Sequence, residues 1–124
     1  MTAMPEPISY WLREPGPSFE PALAGDTSAD VVIVGGGFTG LWTAIALTDT
    51  DPALKVVVLE AETVSYGASG RNGGFCEASL THGLANGILH FPDELERLEH
   101  EGLANLQGLI AFTRANGIDC DLEE

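Results

Sequence analysis

Basic residues are scarce. Five Lys and Arg stand against 19 Asp and Glu in 124 residues, a formal net charge of −14. Binding to nucleic acid or to an anionic membrane surface needs clustered positive charge, so this balance argues against both partners. The acids are spread along the chain rather than gathered in a tail, the pattern of a solubilising surface. Long apolar runs are missing too. None approaches the ~18 residues of a membrane span, and the N-terminus lacks the basic start and apolar core of a secretion signal. Cysteine is limited to Cys76 and Cys120, with no metal or redox spacing, and His82, His90 and His100 lie eight and ten residues apart, which is not a ligand spacing. The expectation is a cytoplasmic protein with reduced thiols and no metal.

Glycine, by contrast, is plentiful at 15 residues, and its placement organises the chain. Val31 to Val34 is an uninterrupted β-branched run, expected to be a strand buried on both faces of a parallel sheet. Gly35, Gly37 and Gly40 follow directly as Gly-x-Gly-x-x-Gly. From Phe38 to about Thr48, the residues Leu41, Ala44, Ile45 and Thr48 share one helical face, and a second strand, Val56 to Leu59, ends in Glu60. This is the pattern of a dinucleotide site. Gly35 permits a tight turn, Gly37 lets the backbone approach a pyrophosphate, and Gly40 lets the helix pack on the sheet. The phosphates would meet the helix N-terminus, with its free N–H groups and positive dipole end. Glu60, twenty residues beyond Gly40, could accept hydrogen bonds from both ribose hydroxyls and would repel a 2′-phosphate, which argues against NADP. The fingerprint alone leaves NAD and FAD open.

Around this unit the chain reads as follows. Residues 1 to 29 contain Pro5, Pro7, Pro15, Pro17 and Pro21 and are expected to be extended, anchored by Tyr10, Trp11 and Phe19. Pro52 stops the first helix. Gly67 to Gly74, with four glycines and Asn72 in eight residues, reads as a loop whose backbone can approach a ligand closely, and its position beyond Glu60 points it along the cofactor. Phe75 to Leu80 reads as a short strand or extended segment, and Thr81 to Leu89 as irregular or weakly helical. Cys76 reads as a small buried thiol. A second long helix is expected from Pro92 to about Asn116, with Leu95, Leu98, Leu106, Leu109, Ile110 and Thr113 on its inner face, and an extended segment from Ile118 to Leu122. The fold class is therefore α/β, a Rossmann-like βαβ unit of a doubly wound sheet. Such a sheet has about five or six strands. Only two are evident, so the unit is expected to be incomplete, the start of a longer enzyme, with residues 30 to 124 forming the first part of its cofactor domain and the substrate domain lying outside.

Residues 30 to 74 resemble the flavin-binding start of the D-amino-acid-oxidase-like family. The resemblance rests on Asp30 to Leu41, on Val58-Leu59-Glu60, and above all on Gly67-Ala68-Ser69-Gly70-Arg71-Asn72-Gly73-Gly74. It is nearest the γ-glutamylputrescine-oxidase branch, whose Ser-Tyr-aromatic start is similar to Ser9-Tyr10-Trp11. The resemblance implies FAD, with candidate cofactor-binding residues Gly35, Gly37, Phe38, Thr39, Gly40, Glu60, Ser69, Gly70, Arg71, Asn72, Gly73 and Gly74. Arg71 could balance flavin or phosphate charge or tie the loop to a carbonyl. The family oxidises a C–N bond of a small amine or amino acid by hydride transfer to flavin, usually with oxygen as acceptor. No catalytic acid or base is assigned within these 124 residues. The rival readings are a nicotinamide-dependent dehydrogenase on the same fingerprint and a non-catalytic dinucleotide-binding fragment.

Overall fold

The computed structural model describes residues 9 to 12 and 19 to 123. Pro5, Pro7, Pro15 and Pro17 lie outside them, so most of the expected extended segment is not described. The described residues fall into two compact units, one ending at Gly73 and one beginning at Gly74.

The first unit is built on β1 (Val31–Val34), α1 (Phe38–Thr50) and β2 (Val56–Leu59). The strands pair in parallel, with Val31 opposite Val56 and Val34 opposite Leu59. Two contacts at the strand starts hold the register. The Asp30 N–H donates to Lys55 O at 3.0 Å, and its carboxylate Oδ2 accepts the Lys55 N–H at 2.8 Å. At the other end the ladder runs one residue into the turn, through Gly35 N–H to Leu59 O at 2.8 Å. A parallel pair needs a crossover, and α1 supplies it. The helix ends at Thr50, just before Asp51-Pro52, and Asp51 Oδ1 accepts the Ala53 N–H at 3.0 Å to turn the chain toward β2.

Two expectations are corrected here. Val31 and Ile33 are half-buried, but Val32 is exposed and Val34 is 86% exposed, so β1 is covered on one face only. The reason is that α1 covers one face and no described element of this unit covers the other. On α1, Leu41, Ala44 and Ile45 are half-buried as expected, whereas Thr48 is exposed, its hydroxyl donating back to Ala44 O or Ile45 O at 3.0 Å. Leu47 is half-buried in its place.

The second unit carries α2 (Leu84–His90) and α3 (Leu95–Ala115). A helix thus occupies much of the stretch expected to be irregular or weakly helical. Gly83, at φ +101°, provides its entry, and Gly87 fits against Leu95 and Thr81, where a Cβ would lie 2.6 Å from Leu95 Cδ1. The long helix starts three residues later than its proline suggested, because Phe91 to Glu94 form a separate turn closed by Glu94 N–H to Phe91 O at 3.1 Å. Its inner face is as expected: Leu95, Leu98, Leu106, Leu109, Ile110 and Thr113 are half-buried, and Gly102 is fully buried against Ala78. Residues 75 to 80 form no strand, and Cys76 is exposed rather than buried. Across the described residues no apolar side chain is fully buried. None of the described helices is long and apolar enough to cross a membrane, and no described group of His, Cys, Asp or Glu could hold a metal ion.

Candidate functional site

The first unit brings together the glycine turn, the start of α1, Glu60 and the loop from Gly67 to Gly73. Gly35 adopts φ +106°, a conformation closed to most side chains, and this bends the chain out of β1. Gly40 stands where a Cβ would lie 2.1 Å from Gly35 O and 3.2 Å from Ile33 Cγ2, so only glycine lets α1 sit this close to the strand it follows. Gly37 is the N-cap, and a Cβ on it would lie 2.9 Å from Ser69 Oγ.

The first intrahelical bond of α1 is Leu41 N–H to Gly37 O at 3.0 Å, which leaves the N–H groups of Phe38, Thr39 and Gly40 without an intrahelical acceptor. Phe38 N–H is taken by Ser69 Oγ at 2.9 Å. No acidic side chain lies in the first turn of α1, so the positive end of the helix is not neutralised from within it. The Ser69 hydroxyl still has its own proton to donate.

Glu60 is fastened beside this turn. Its Oε2 accepts the Gly36 N–H at 2.7 Å and its Oε1 accepts the Glu62 N–H at 3.1 Å. The Gly36 bond, then the Glu62 bond, hold its carboxyl below the ordinary glutamate range, against a small opposing effect of desolvation. A carboxylate offers about four lone-pair sites, so two remain for other donors such as ribose hydroxyls.

The loop is tied by its own side chains. Arg71 Nε donates to Tyr66 O at 3.0 Å with its guanidinium over the Tyr66 ring, and Asn72 Nδ2 donates to Ser69 O at 2.7 Å. Gly70 is buried, and a Cβ there would lie 2.1 Å from Ser65 O. Of the two roles open to Arg71, the carbonyl tie is the one with a partner in place. Gly73 and Gly74 continue the loop, Gly74 at φ +80°.

Two parts of the site went unread in the sequence. One is Gly36, buried in the turn, whose N–H holds Glu60 and whose carbonyl accepts the Ser65 N–H at 3.0 Å; the signal was the third consecutive glycine. The other is Ser9, read only as part of the Ser9-Tyr10-Trp11 resemblance and given no role, which is 4% exposed and donates from Oγ to Gly70 O. Of the expected anchors, Tyr10 and Phe19 are largely exposed, while Trp11 donates from Nε1 to Asn72 O at 3.0 Å.

The cradle fits an anionic dinucleotide: a glycine turn, a helix start with no acid in its first turn, and a carboxylate fixed at the end of β2. Comparison with known proteins agrees. The family model described as DAO, FAD dependent oxidoreductase, matches residues 30–124. The γ-glutamylputrescine oxidoreductase of Escherichia coli K12 is 53% identical over 47 residues, 38% of this chain and 11% of that protein. A Bacillus subtilis protein named as a Rieske 2Fe-2S iron-sulfur protein, YhfW, is 35% identical over 117 residues, 93% of this chain and 22% of its own. A Haemophilus influenzae protein named as an oxidoreductase, OrdL, is 31% identical over 115 residues, 91% and 26%. The chain thus spans about a tenth to a quarter of the length of the curated relatives it matches. No solved structure gives a significant match.

Proposed function

The chain belongs to the DAO family of FAD-dependent oxidoreductases, and from that premise we propose that it forms the flavin-binding start of a cytoplasmic enzyme oxidising a C–N bond of an amine or amino acid. The dinucleotide is FAD, as the family's dependence on it implies. The observation that carries the reading is the position of Glu60, held 2.7 Å from the Gly36 N–H in the middle of the glycine turn. That proximity supports reading Glu60 as a ribose acceptor beside a phosphate cradle.

In this reading the N–H groups of Thr39 and Gly40 and the hydroxyl of Ser69 bind the pyrophosphate, with Gly35 and Gly37 giving it room. The two remaining lone pairs of Glu60 accept the ribose hydroxyls. Residues Gly70 to Gly74 run along the rest of the cofactor, and Arg71 keeps that run in shape through Tyr66. Bound here, FAD would supply the two-electron redox chemistry that oxidation of a C–N bond requires. In this reading the residues of this chain bind and orient the cofactor.

An amine is favoured by the name of the Escherichia coli relative, which shares 53% of 47 residues with this chain. The test is anaerobic mixing of the full-length protein with a panel of primary amines, γ-glutamyl amines and amino acids, beside the matching hydroxy acids. Bleaching of the flavin band by at least one of them is expected. Bleaching only by hydroxy acids, with every amine inert, would refute the C–N assignment and leave flavin binding intact.

A further inference from the structure

Ser9 and Gly70 lie sixty-one positions apart in the chain, yet the two short turns that hold them meet in space. Ser9 to Leu12 form one 3₁₀ turn, with Leu12 N–H to Ser9 O at 3.3 Å, and Ala68–Gly70 form another. Ser9 is more buried than any described apolar side chain, which is unusual for a serine twenty residues ahead of the first strand. Its hydroxyl bonds in both directions. It donates to Gly70 O and accepts the Trp11 N–H at 3.1 Å, so it fixes its own turn and the loop at once. Trp11 then donates from Nε1 to Asn72 O at 3.0 Å.

The two bonds take alternate carbonyls of the loop, those of residues 70 and 72. A trans peptide points its N–H opposite to its C=O. With the Asn72 carbonyl held by the indole, the Gly73 N–H is turned to the opposite side. With Gly70 O held by Ser9, the Arg71 N–H faces back to Ala68 O at 3.1 Å and keeps the turn closed. Glycine-rich backbone has no preference of its own strong enough to set these orientations. A carbonyl swung toward a pyrophosphate or a flavin carbonyl would repel it, so holding carbonyls away is as necessary as presenting N–H groups.

We propose that Ser9 and Trp11 form a clamp that orients the peptides of the Gly70 to Gly73 loop for FAD, making both of them positioning residues that act on the cofactor through the loop. The proposal rests on the reading that this loop lines the flavin. Ser9 sets the clamp, and Trp11 extends it by one peptide.

The test uses the full-length protein and the variants Ser9→Ala, Ser9→Thr, Trp11→Phe and Gly73→Val. Three readouts are taken: FAD affinity by flavin fluorescence, amide hydrogen exchange of residues 70 to 73 in the flavin-free protein, and the urea midpoint of that form. Ser9→Ala is expected to weaken FAD about five- to tenfold, the worth of one intramolecular hydrogen bond, and to speed exchange at residues 71 to 73, with the urea midpoint lowered because Gly70 O loses its donor. Ser9→Thr keeps the hydroxyl and restores both. Trp11→Phe keeps the ring and loses the donor, so it weakens FAD by a smaller factor and speeds exchange at residue 73 alone. Parental FAD affinity in Ser9→Ala, whether or not exchange quickens, overturns the clamp. If Gly73→Val also binds FAD as the parent does, the loop does not line the flavin and the underlying reading fails with it; if Gly73→Val loses FAD while Ser9→Ala does not, only the clamp is lost.

Discussion

Glu60 sits among backbone donors, and its chemistry follows from them. The Gly36 and Glu62 N–H groups stabilise the charged form, so its folded pKa lies below the unfolded value. A depressed carboxylate contributes stability that is complete above the unfolded pKa and is lost as pH falls through the folded one. The urea midpoint of the parent should therefore fall in that acid window, and its advantage over Glu60→Gln should shrink over the same range. If the advantage is constant with pH, the Gly36 bond does not hold the charge. Glu60→Gln should also weaken FAD about five- to tenfold, since a charge-assisted bond becomes neutral and the amide NH₂ cannot accept. Gly37→Val is harsher. Its side chain would enter the 2.9 Å approach to Ser69 Oγ and the space read as the pyrophosphate's. We expect no flavin to copurify with that variant, and stoichiometric FAD in it would move the phosphates elsewhere.

Among the elements, the glycines separate those that packing requires from those it does not. Gly40→Ala sets a Cβ against Gly35 O, a backbone atom that cannot yield, so α1 must lift from β1 at a cost of ~1–3 kcal/mol. Gly108, in α3, has open space where a Cβ would go, so Gly108→Ala should stabilise the chain by ~0.5–1 kcal/mol through helix propensity. Opposite shifts in the urea midpoint check the pair, and equal shifts would count against the packing of α1 described above. The same contrast shows what was legible in advance. The β1, turn, α1 and β2 unit announces itself because each piece obeys a local rule: a β-branched run, glycines at fixed spacing, a helical period. Helix α2 did not, because Gly83 and Gly87 look like helix breakers until Leu95 and Thr81 are seen against Gly87. The start of α3 was misplaced for a related reason, since Pro92 suits a first helical turn but here opens the separate turn before it.

For the molecule as a whole, the net charge of −14 and the lack of any fully buried apolar side chain among the described residues act together. Self-repulsion opposes compaction, and little burial offsets it. The isolated 124-residue chain should therefore bind a hydrophobic dye such as ANS, melt without a sharp transition and gain stability as added salt screens its charge. A sharp transition insensitive to salt would show that these residues hold themselves together. We also expect this chain alone to release no peroxide from any amine, and turnover by it would overturn that expectation.

The sequence by itself determined the family and, through it, the cofactor class, because the glycine fingerprint, the acid at the end of β2 and the Gly67 to Gly74 block are local patterns with local causes. Only the tertiary structure decided which groups hold those residues in place. Gly36 on Glu60, Ser69 on the start of α1, and Ser9 and Trp11 on a loop sixty-one residues away are pairings between distant backbone and side-chain atoms. No spacing rule encodes such pairings, since they depend on where β1, β2 and the loop come to lie once the chain has folded.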